Sequence, residues 1–299
     1  MATERPVRPT HPIAWRGIAA YLAIAFGLAW TAEIWALSRG VRFASLTPGT
    51  TLLLASVMFT PAIAAFAVRR FITREGFADA GLRRGPWRPY LMTWLGVPIL
   101  VAGIYALTLL LGLGHFDPDL GQLTARIHEA ARGQPLPSLP PPRLLAAAIL
   151  AQALTFGVVI TTIFTFGEEF GWTGYLLMRL LPFGRWRAAL IYGVIWGLWH
   201  APIIVGGFNY PGYPVLGVLM MCLLTVAFAL TQTALRLRYK SVFLTSFFHA
   251  SVNTQGLGVV PLLAAGVSPV SGGITGIVGI LAFMVLGVRL LARTHEALD

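Results

Sequence analysis

Four ionisable side chains lie in apolar stretches of the second half of the sequence: Glu168, Glu169, His200 and His249. Ionisable groups are costly in lipid, so each needs a partner or a water-filled cavity and is a candidate functional residue. A carboxylate beside an imidazole can take a proton from water and return it to a leaving amine. A second histidine and an amide such as that of Asn253 can donate hydrogen bonds to an oxyanion. These residue types therefore favour hydrolysis by an activated water.

The spacing of these residues predicts which helix faces they share. His249 and Asn253 are four residues apart, so they lie on one face of a helix. Trp196 and His200 have the same spacing. Adjacent glutamates diverge by about 100° around a helix, so we predict that the two glutamates do not both point at one small site. A rise of about 1.5 Å per residue places Glu168, His200 and His249 at similar depths in a membrane.

Other functions are compatible with the same residues. Glu168, His200 and His249 match the ligand set of a catalytic zinc site with an open position, so a divalent metal such as zinc and a metal-independent mechanism both stay open. A buried polar network that only holds helices together is the alternative without chemistry, and a non-catalytic membrane scaffold would retain it for packing. A proton-coupled membrane carrier, with the acidic residues and histidines as a relay, is the other alternative.

The composition indicates that these residues lie in a multispanning membrane protein. Hydrophobic residues make up 57% of the 299 residues, charged residues 11%, and the mean hydropathy is +0.74. The formal net charge of +11 is explained by basic loops at the cytoplasmic leaflet, so nucleic acid is not predicted as a partner. The single cysteine, Cys222, excludes an internal disulfide.

Eight apolar segments are long enough to be spans, so we predict an all-α polytopic membrane protein with about eight transmembrane helices. They lie near residues 14–37, 50–70, 89–113, 143–179, 187–208, 214–235, 240–260 and 271–292. The fourth segment is too long for one straight crossing, and Gly167, Gly171 and Gly174 are predicted to bend it. Most basic residues fall on one side if both termini are cytoplasmic, and we expect an integral protein of the plasma membrane in that orientation.

The chain is predicted to have two regions. Residues 1–142 form a three-helix membrane region, which ends in an interfacial helix and a proline-rich linker. The helix is indicated by Leu120, Leu123, Ile127 and Ala131, and the linker by Pro135, Pro137, Pro140, Pro141 and Pro142. Residues 143–299 form the catalytic membrane core. Glu33 lies between Trp30 and Trp35 near the end of the first span, which favours an interfacial anchor.

The motifs of the second half resemble the CPBP family of intramembrane proteases, also called the Abi family, which includes type II CAAX prenyl endopeptidases and bacteriocin-processing proteins. The family pattern is Glu-Glu-x-x-x-Arg, then an aromatic residue and a histidine, then His-x-x-x-Asn. This sequence matches it with Glu168-Glu169, with Trp196 and His200, and with His249 and Asn253. Thr173 stands in the place of the arginine.

The resemblance implies a membrane-embedded endopeptidase that acts on a lipidated, CAAX-like or membrane-associated peptide, with membrane lipids as its other partners. It implies that Glu168 activates water with His200, that Glu169 is the second family glutamate, and that His249 and Asn253 support the oxyanion or a metal. Family members are commonly labelled metalloproteases, yet the prenyl endopeptidase branch is also interpreted as glutamate-dependent hydrolases.

The departure at position 173 predicts a different environment for Glu169. An arginine four residues after Glu169 could form an ion pair on the same helix face, and threonine cannot supply that charge. Glu169 must then find another donor, such as water, Arg179 or Arg185, or else hold a proton, because an unpaired buried carboxylate is disfavoured. We expect Glu169 to have a supporting role and the Thr173→Arg substitution to be tolerated.

Overall fold

The computed structural model describes residues 14–44, 47–131 and 139–294. These residues are mostly helical, and the predicted all-α class is confirmed. The paired strands in the described part of the chain are two residues long, β1 (His115–Phe116) and β2 (Ala264–Ala265). They run antiparallel, with His115 opposite Ala265 and Phe116 opposite Ala264.

The first half of the chain contains three helical segments of membrane length. α1 (Trp15–Ser38) and α4 (Arg88–Leu110) are single helices. The segment between them is divided into α2 (Pro48–Val57), α3 (Thr60–Ala67) and a π-helical turn, Val68–Ile72. The division falls just before Pro61, because proline lacks the N–H that a continuous helix requires and is tolerated in a first turn. A short 3₁₀ turn, Ala78–Ala80, lies in the loop before α4.

The second half contains the helices that carry the predicted catalytic residues. It consists of α6 (Pro142–Leu154), α7 (Phe156–Gly171), a π-helical turn (Trp172–Leu176), α8 (Leu177–Leu180), a 3₁₀ turn (Leu181–Phe183), α9 (Arg185–Trp199), α10 (Ala201–Val205), α11 (Pro214–Tyr239), α12 (Val242–Gly256), α13 (Val259–Leu262) and α14 (Ile277–Ala292). α11 packs against α9 and α14, and α12 packs against α7 and α4.

Four helical segments in the described residues are long and apolar enough to cross a membrane, and α6 with the helix that follows it makes a fifth, broken span. The three other predicted spans contain shorter helices, since α9 and α12 have 15 residues and α14 has 16. A helix of 15 residues covers about 22 Å, less than the roughly 30 Å of a bilayer core. Five of the eight predicted spans therefore contain helical segments of membrane length, and the other three contain shorter apolar helices.

The outer surface of the spans is apolar, as a lipid-facing surface must be. Leu110 is 84% exposed, Val215 83% and Ile99 71%. Water-soluble monomers rarely expose extended apolar surfaces of this kind. The exposed side chains therefore support an integral membrane protein independently of helix length.

The long fourth segment breaks at a different place from the one predicted. α6 and the following helix meet at Thr155 with a bend of 49°. Gly167 and Gly171 lie instead in regular helix, where a Cβ atom at Gly171 would come within 2.4 Å of the Cβ of Pro61. These glycines allow close approach to α3 and do not bend the helix. Gly174 lies in the π-helical turn.

The predicted interfacial segment forms α5 (Gly121–Ala131). Its apolar side packs against other helices, because Leu120 and Leu123 are buried in a cluster with Ala146 and Leu262. Pro135 and Pro137 lie outside the described residues, while Pro142 begins α6. One large core contains residues from α1 to α14, so the division into regions 1–142 and 143–299 stays a prediction.

Glu33 is not an interfacial anchor. Its side chain is fully buried, on the inner face of α1 that also carries Ala25 and Ala29. Neither carboxyl oxygen has a hydrogen-bond partner in the described part of the chain. Trp30, one turn before it, donates a 3.0 Å hydrogen bond to the carbonyl oxygen of Trp199. The face of α1 that carries Glu33 therefore points into the protein. The tryptophans beside Glu33 in the sequence did not indicate this burial.

Candidate active site

Three helices bring the predicted catalytic residues together in the interior. Glu168 and Glu169 lie in the last turn of α7, just before the π-helical turn. His200 follows the last residue of α9, and α10 begins at Ala201 just beyond it. His249 lies in the middle of α12. The glutamates and both histidines are buried.

Glu168 and His200 are connected through Trp196. The indole N–H of Trp196 donates to Oε2 of Glu168 at 2.8 Å. Nδ1 of His200 lies 2.8 Å from the carbonyl oxygen of Trp196. Because a carbonyl oxygen only accepts, Nδ1 must carry the proton, and Nε2 of a neutral His200 is left as an acceptor. One tryptophan thus orients the carboxylate and fixes the histidine tautomer.

Glu169 has a separate set of partners. Its Oε1 accepts a 2.8 Å hydrogen bond from Nε2 of Gln232, on α11, and lies 3.1 Å from Nδ1 of His249. The hydroxyl of Thr173 lies 3.0 Å from Oε2 of Glu169 and 3.0 Å from the hydroxyl of Thr245. A carboxylate accepts, so Nδ1 of His249 carries the proton in this contact.

The two glutamates therefore point at different helices, as their adjacency predicts. Glu168 bonds to α9, while Glu169 bonds to α11 and α12. Both still belong to one site, because His249 contacts Glu169 and packs against Trp196, which donates to Glu168. The ring centroids of Trp196 and His249 are 5.2 Å apart, which links the two halves of the site.

The remaining predicted residues occupy the expected faces. The ring centroids of Trp196 and His200 are 6.1 Å apart. Asn253 lies on α12 one turn after His249 and is half-buried. Within the described residues its side-chain amide is not engaged in a hydrogen bond, so it can bind a further group.

The residues do not fit a metal ion as arranged. Among the described residues, no three His, Cys, Asp or Glu side chains form a group that could hold one. The proposed ligand set of Glu168, His200 and His249 is divided by contacts with Trp196 and Glu169. We therefore assign no reaction step to a metal.

The two arginines predicted as donors for Glu169 bind elsewhere. Arg179 donates to Glu75 at 2.6 Å and to Asp79 at 2.8 Å, and Arg185 donates to the carbonyl oxygen of Thr294. Burial acts to raise the pKa of Asp79, but hydrogen bonds from Arg69 and Arg179 outweigh it and lower that pKa below its ordinary value. Arg179 therefore binds the loop before α4, Arg185 binds the end of α14, and neither hydrogen-bonds to Glu169.

Gln232 is the site residue that sequence reasoning missed. It is fully buried, and its Oε1 accepts a 3.1 Å hydrogen bond from the hydroxyl of Tyr192. Its signal in the sequence is an amide flanked by Thr231 and Thr233 inside an otherwise apolar span. An uncharged polar residue is a weaker signal than a glutamate or a histidine at the same depth.

Comparison with known proteins finds a family that is similar to the segment containing this site. Residues 150–255 match the family model described as type II CAAX prenyl endopeptidase Rce1-like. The resemblance predicted from the motifs is confirmed for this segment, which covers about a third of the chain. The segment contains every residue of the site, from the α7 glutamates to Asn253.

A curated relative supports the same assignment. The chain is 29% identical over 94 residues to CAAX prenyl protease 2 of Methanococcus maripaludis. The aligned stretch covers 29% of this chain and 34% of the relative, so it spans about a third of either protein.

Proposed function

We propose that the protein is a membrane-embedded endopeptidase that hydrolyses a peptide bond by means of a water activated by Glu168. The observation that carries this proposal is the arrangement of Glu168 and His200 around Trp196, inside a segment that matches a family of prenyl endopeptidases. A carboxylate and an imidazole acceptor on the same interior surface are the groups that general base catalysis requires.

The proposed reaction uses both halves of the site. Glu168 takes a proton from water, and Nε2 of His200 accepts the other water hydrogen and orients the attack. The C–O bond forms, the carbonyl oxygen becomes an oxyanion, and the C–N bond then breaks as Glu168 returns the proton to the leaving amine. His249, protonated on both nitrogens, donates from Nδ1 to Glu169 and from Nε2 to the oxyanion, and Asn253 adds a second donor.

The proposed substrate is a lipidated, CAAX-like or otherwise membrane-associated peptide. The relative with this similarity is called a prenyl protease, and the apolar outer surface of the spans admits a substrate that partitions into lipid. Membrane lipids are the other proposed partners, and nucleic acid is not one. We propose the plasma membrane as the location, with both termini in the cytoplasm and the basic loops on that side.

The test is peptide cleavage by the purified full-length protein in detergent, with and without a chelator. We expect Glu168→Gln, His200→Ala and His249→Ala each to abolish hydrolysis while the protein stays folded, because each removes a distinct proton-transfer or oxyanion role. Full activity of Glu168→Gln would refute the mechanism. Loss of activity with the chelator would replace it by a metal-dependent one.

A carrier is distinguished from a protease by a separate measurement. Proton or solute flux in proteoliposomes without any peptide, abolished by Glu168→Gln, would favour the carrier. Absence of both flux and cleavage would favour the scaffold.

A further inference from the structure

Glu169 is a buried carboxylate that contacts no lysine or arginine among the described residues. Its one ionisable partner there is His249. Its hydrogen-bonding partners are Gln232, His249 and Thr173, and its side chain is fully buried. A buried carboxylate is costly unless it is paired and hydrogen-bonded. The neutral donors around it must therefore take over part of the role that a cation would have.

Thr173 alone is not sufficient for that role. Its hydroxyl lies 2.9 Å from the carbonyl oxygen of Glu169, 3.0 Å from Oε2 and 3.0 Å from the hydroxyl of Thr245. A hydroxyl has one proton and can donate it to one acceptor at a time. Thr245 lies 2.9 Å from the carbonyl oxygen of Val242, so its own proton is already used. The Thr173 proton is shared between these acceptors.

Gln232 is held in the orientation that makes it a donor. Its Oε1 lies 3.1 Å from the hydroxyl of Tyr192, whose proton is shared with the carbonyl oxygen of Ala229 at 3.3 Å, and its Nε2 donates to Glu169 at 2.8 Å. A carboxylate only accepts, so the amide cannot be turned over without losing the contact to Glu169. Tyr192, Gln232 and Glu169 therefore form a directed chain of hydrogen bonds from α9 through α11 to α7.

The end of this chain is the predicted oxyanion donor. Oε1 of Glu169 accepts from Gln232 and lies 3.1 Å from Nδ1 of His249. A carboxylate that holds Nδ1–H determines which way the imidazole points and leaves Nε2 free for a second contact. Loss of the Gln232 donor would release the carboxylate and, with it, the ring of His249.

We propose that Gln232 is a positioning residue of the active site, which acts through Glu169 on His249 and, with Thr173, replaces the arginine of the family pattern. The proposal rests on the proposed function, because it concerns how the oxyanion donor is held. Gln232 itself does not touch the reacting atoms.

The test compares Gln232→Leu with Thr231→Val in the full-length protein. Gln232→Leu removes the donor at similar volume, and we expect kcat to fall by roughly tenfold to a hundredfold with KM unchanged, since hydrogen bonds to charged groups have this strength. Thr231 is a matched control, because it is buried on the same helix and its hydroxyl has no partner in the described residues. Its valine variant should keep kcat within about threefold. Equal effects of the two variants would overturn the proposal.

A second variant that restores a donor to Glu169 distinguishes a positioning role of Gln232 from a role in packing alone. An arginine at position 173 can reach Glu169, which lies four residues before it. In the double variant Gln232→Ala with Thr173→Arg we expect at least a tenfold recovery of kcat over Gln232→Ala alone. A double variant that is folded and no more active than Gln232→Ala would contradict the proposed exchange of roles.

A spectroscopic measurement separates this proposal from the proposed function. In protein with ¹⁵N-labelled histidine, the His249 signal is identified by its loss in His249→Gln. We expect a protonated Nδ1 in the unmodified protein and in Thr231→Val, and a changed Nδ1 signal in Gln232→Leu. An unchanged signal in Gln232→Leu would overturn the role of Gln232, even if no peptide is cleaved. A changed signal without any hydrolysis would support that role and reject the protease.

Discussion

The hydrogen bond from Trp196 to Glu168 allows the catalytic assignment to be tested with a conservative change. Trp196→Phe removes the indole N–H that lies 2.8 Å from Oε2 of Glu168 and keeps an aromatic ring at the position. The carboxylate would lose its hydrogen bond to α9 and could rotate away from His200. We expect kcat to fall while KM is unchanged, because Trp196 orients the base.

The magnitude follows from the chemistry of the contact. A hydrogen bond to a charged group contributes roughly 1.5–3 kcal/mol, and each 1.36 kcal/mol corresponds to a factor of about ten in rate. The expected loss in kcat is therefore roughly 10-fold to 150-fold. Loss of the larger ring also leaves a small cavity, which reduces stability independently of catalysis.

Trp199→Phe is the matched control for the cavity. Trp199 lies on the same helix, is buried to the same extent and packs 4.8 Å from the ring of His200. Its indole N–H has no hydrogen-bond partner in the described residues. We expect kcat within about threefold of the unmodified protein, and a similar fall in Tm for both variants.

The assay is steady-state peptide hydrolysis in detergent, with thermal unfolding of each variant as the measure of folding. Equal losses of kcat in the two variants would show that the cavity governs the effect. An unchanged kcat in Trp196→Phe would show that the tryptophan does not position Glu168.

Two further predictions concern the loop before α4 and the orientation of the chain. Arg69 is 1% exposed and donates to Asp79 at 2.7 Å and to the carbonyl oxygen of Gly174 at 2.9 Å, so Arg69→Met should cost about 3 kcal/mol of stability, seen as a fall in Tm. Arg179→Met, at a more exposed position, should cost less, and the reverse order would contradict the reasoning. A cysteine in place of Arg84 in a Cys222→Ser background should react with impermeant maleimide only after cells are opened; labelling of intact cells would refute a cytoplasmic loop.

The helices and the ionisable residues of the site were predictable from the sequence because both depend on the cost of polar groups in lipid. Apolar length identifies a span, and a glutamate or histidine within one has few tolerable positions other than the interior. His249 and Asn253 share a face simply because of helical geometry. These features need no knowledge of neighbouring helices.

The features that were not predicted depend on contacts between distant segments. Glu33 is buried because α1 packs against α3, α9 and α10. The two tryptophans that flank it in the sequence carry no information about this packing. From the sequence, Gly171 could either bend the helix or allow another helix to approach closely. In the structure Pro61 packs directly against it, so it allows close approach. The break at Thr155 lies two residues before Gly157, where a Cβ atom would come within 2.6 Å of the carbonyl oxygen of Gln152, so the glycine permits the bend.

Thr173 shows most clearly why a motif does not determine the surroundings of its own carboxylate. Its hydroxyl lies on the same helical turn as Glu169, yet the fuller compensation comes from Gln232, 63 residues further along the chain. The volume around Thr173 is also filled, since the residue is fully buried against Thr245. We therefore no longer expect Thr173→Arg to be tolerated by itself. It should overpack the site and lower the stability by about 1–3 kcal/mol, unless Gln232 is replaced by a smaller residue.

Neutral donors also change the charge balance of the site. Gln232 and Thr173 supply hydrogen bonds to Glu169 without positive charge, and no described lysine or arginine hydrogen-bonds to Glu168 or Glu169. The positive charge nearest to both carboxylates is then that of protonated His249, whose charge interacts with each. Removal of His249 would leave two buried carboxylates without a cation among the described residues, so His249→Ala removes this partner as well as the proposed donor to the oxyanion.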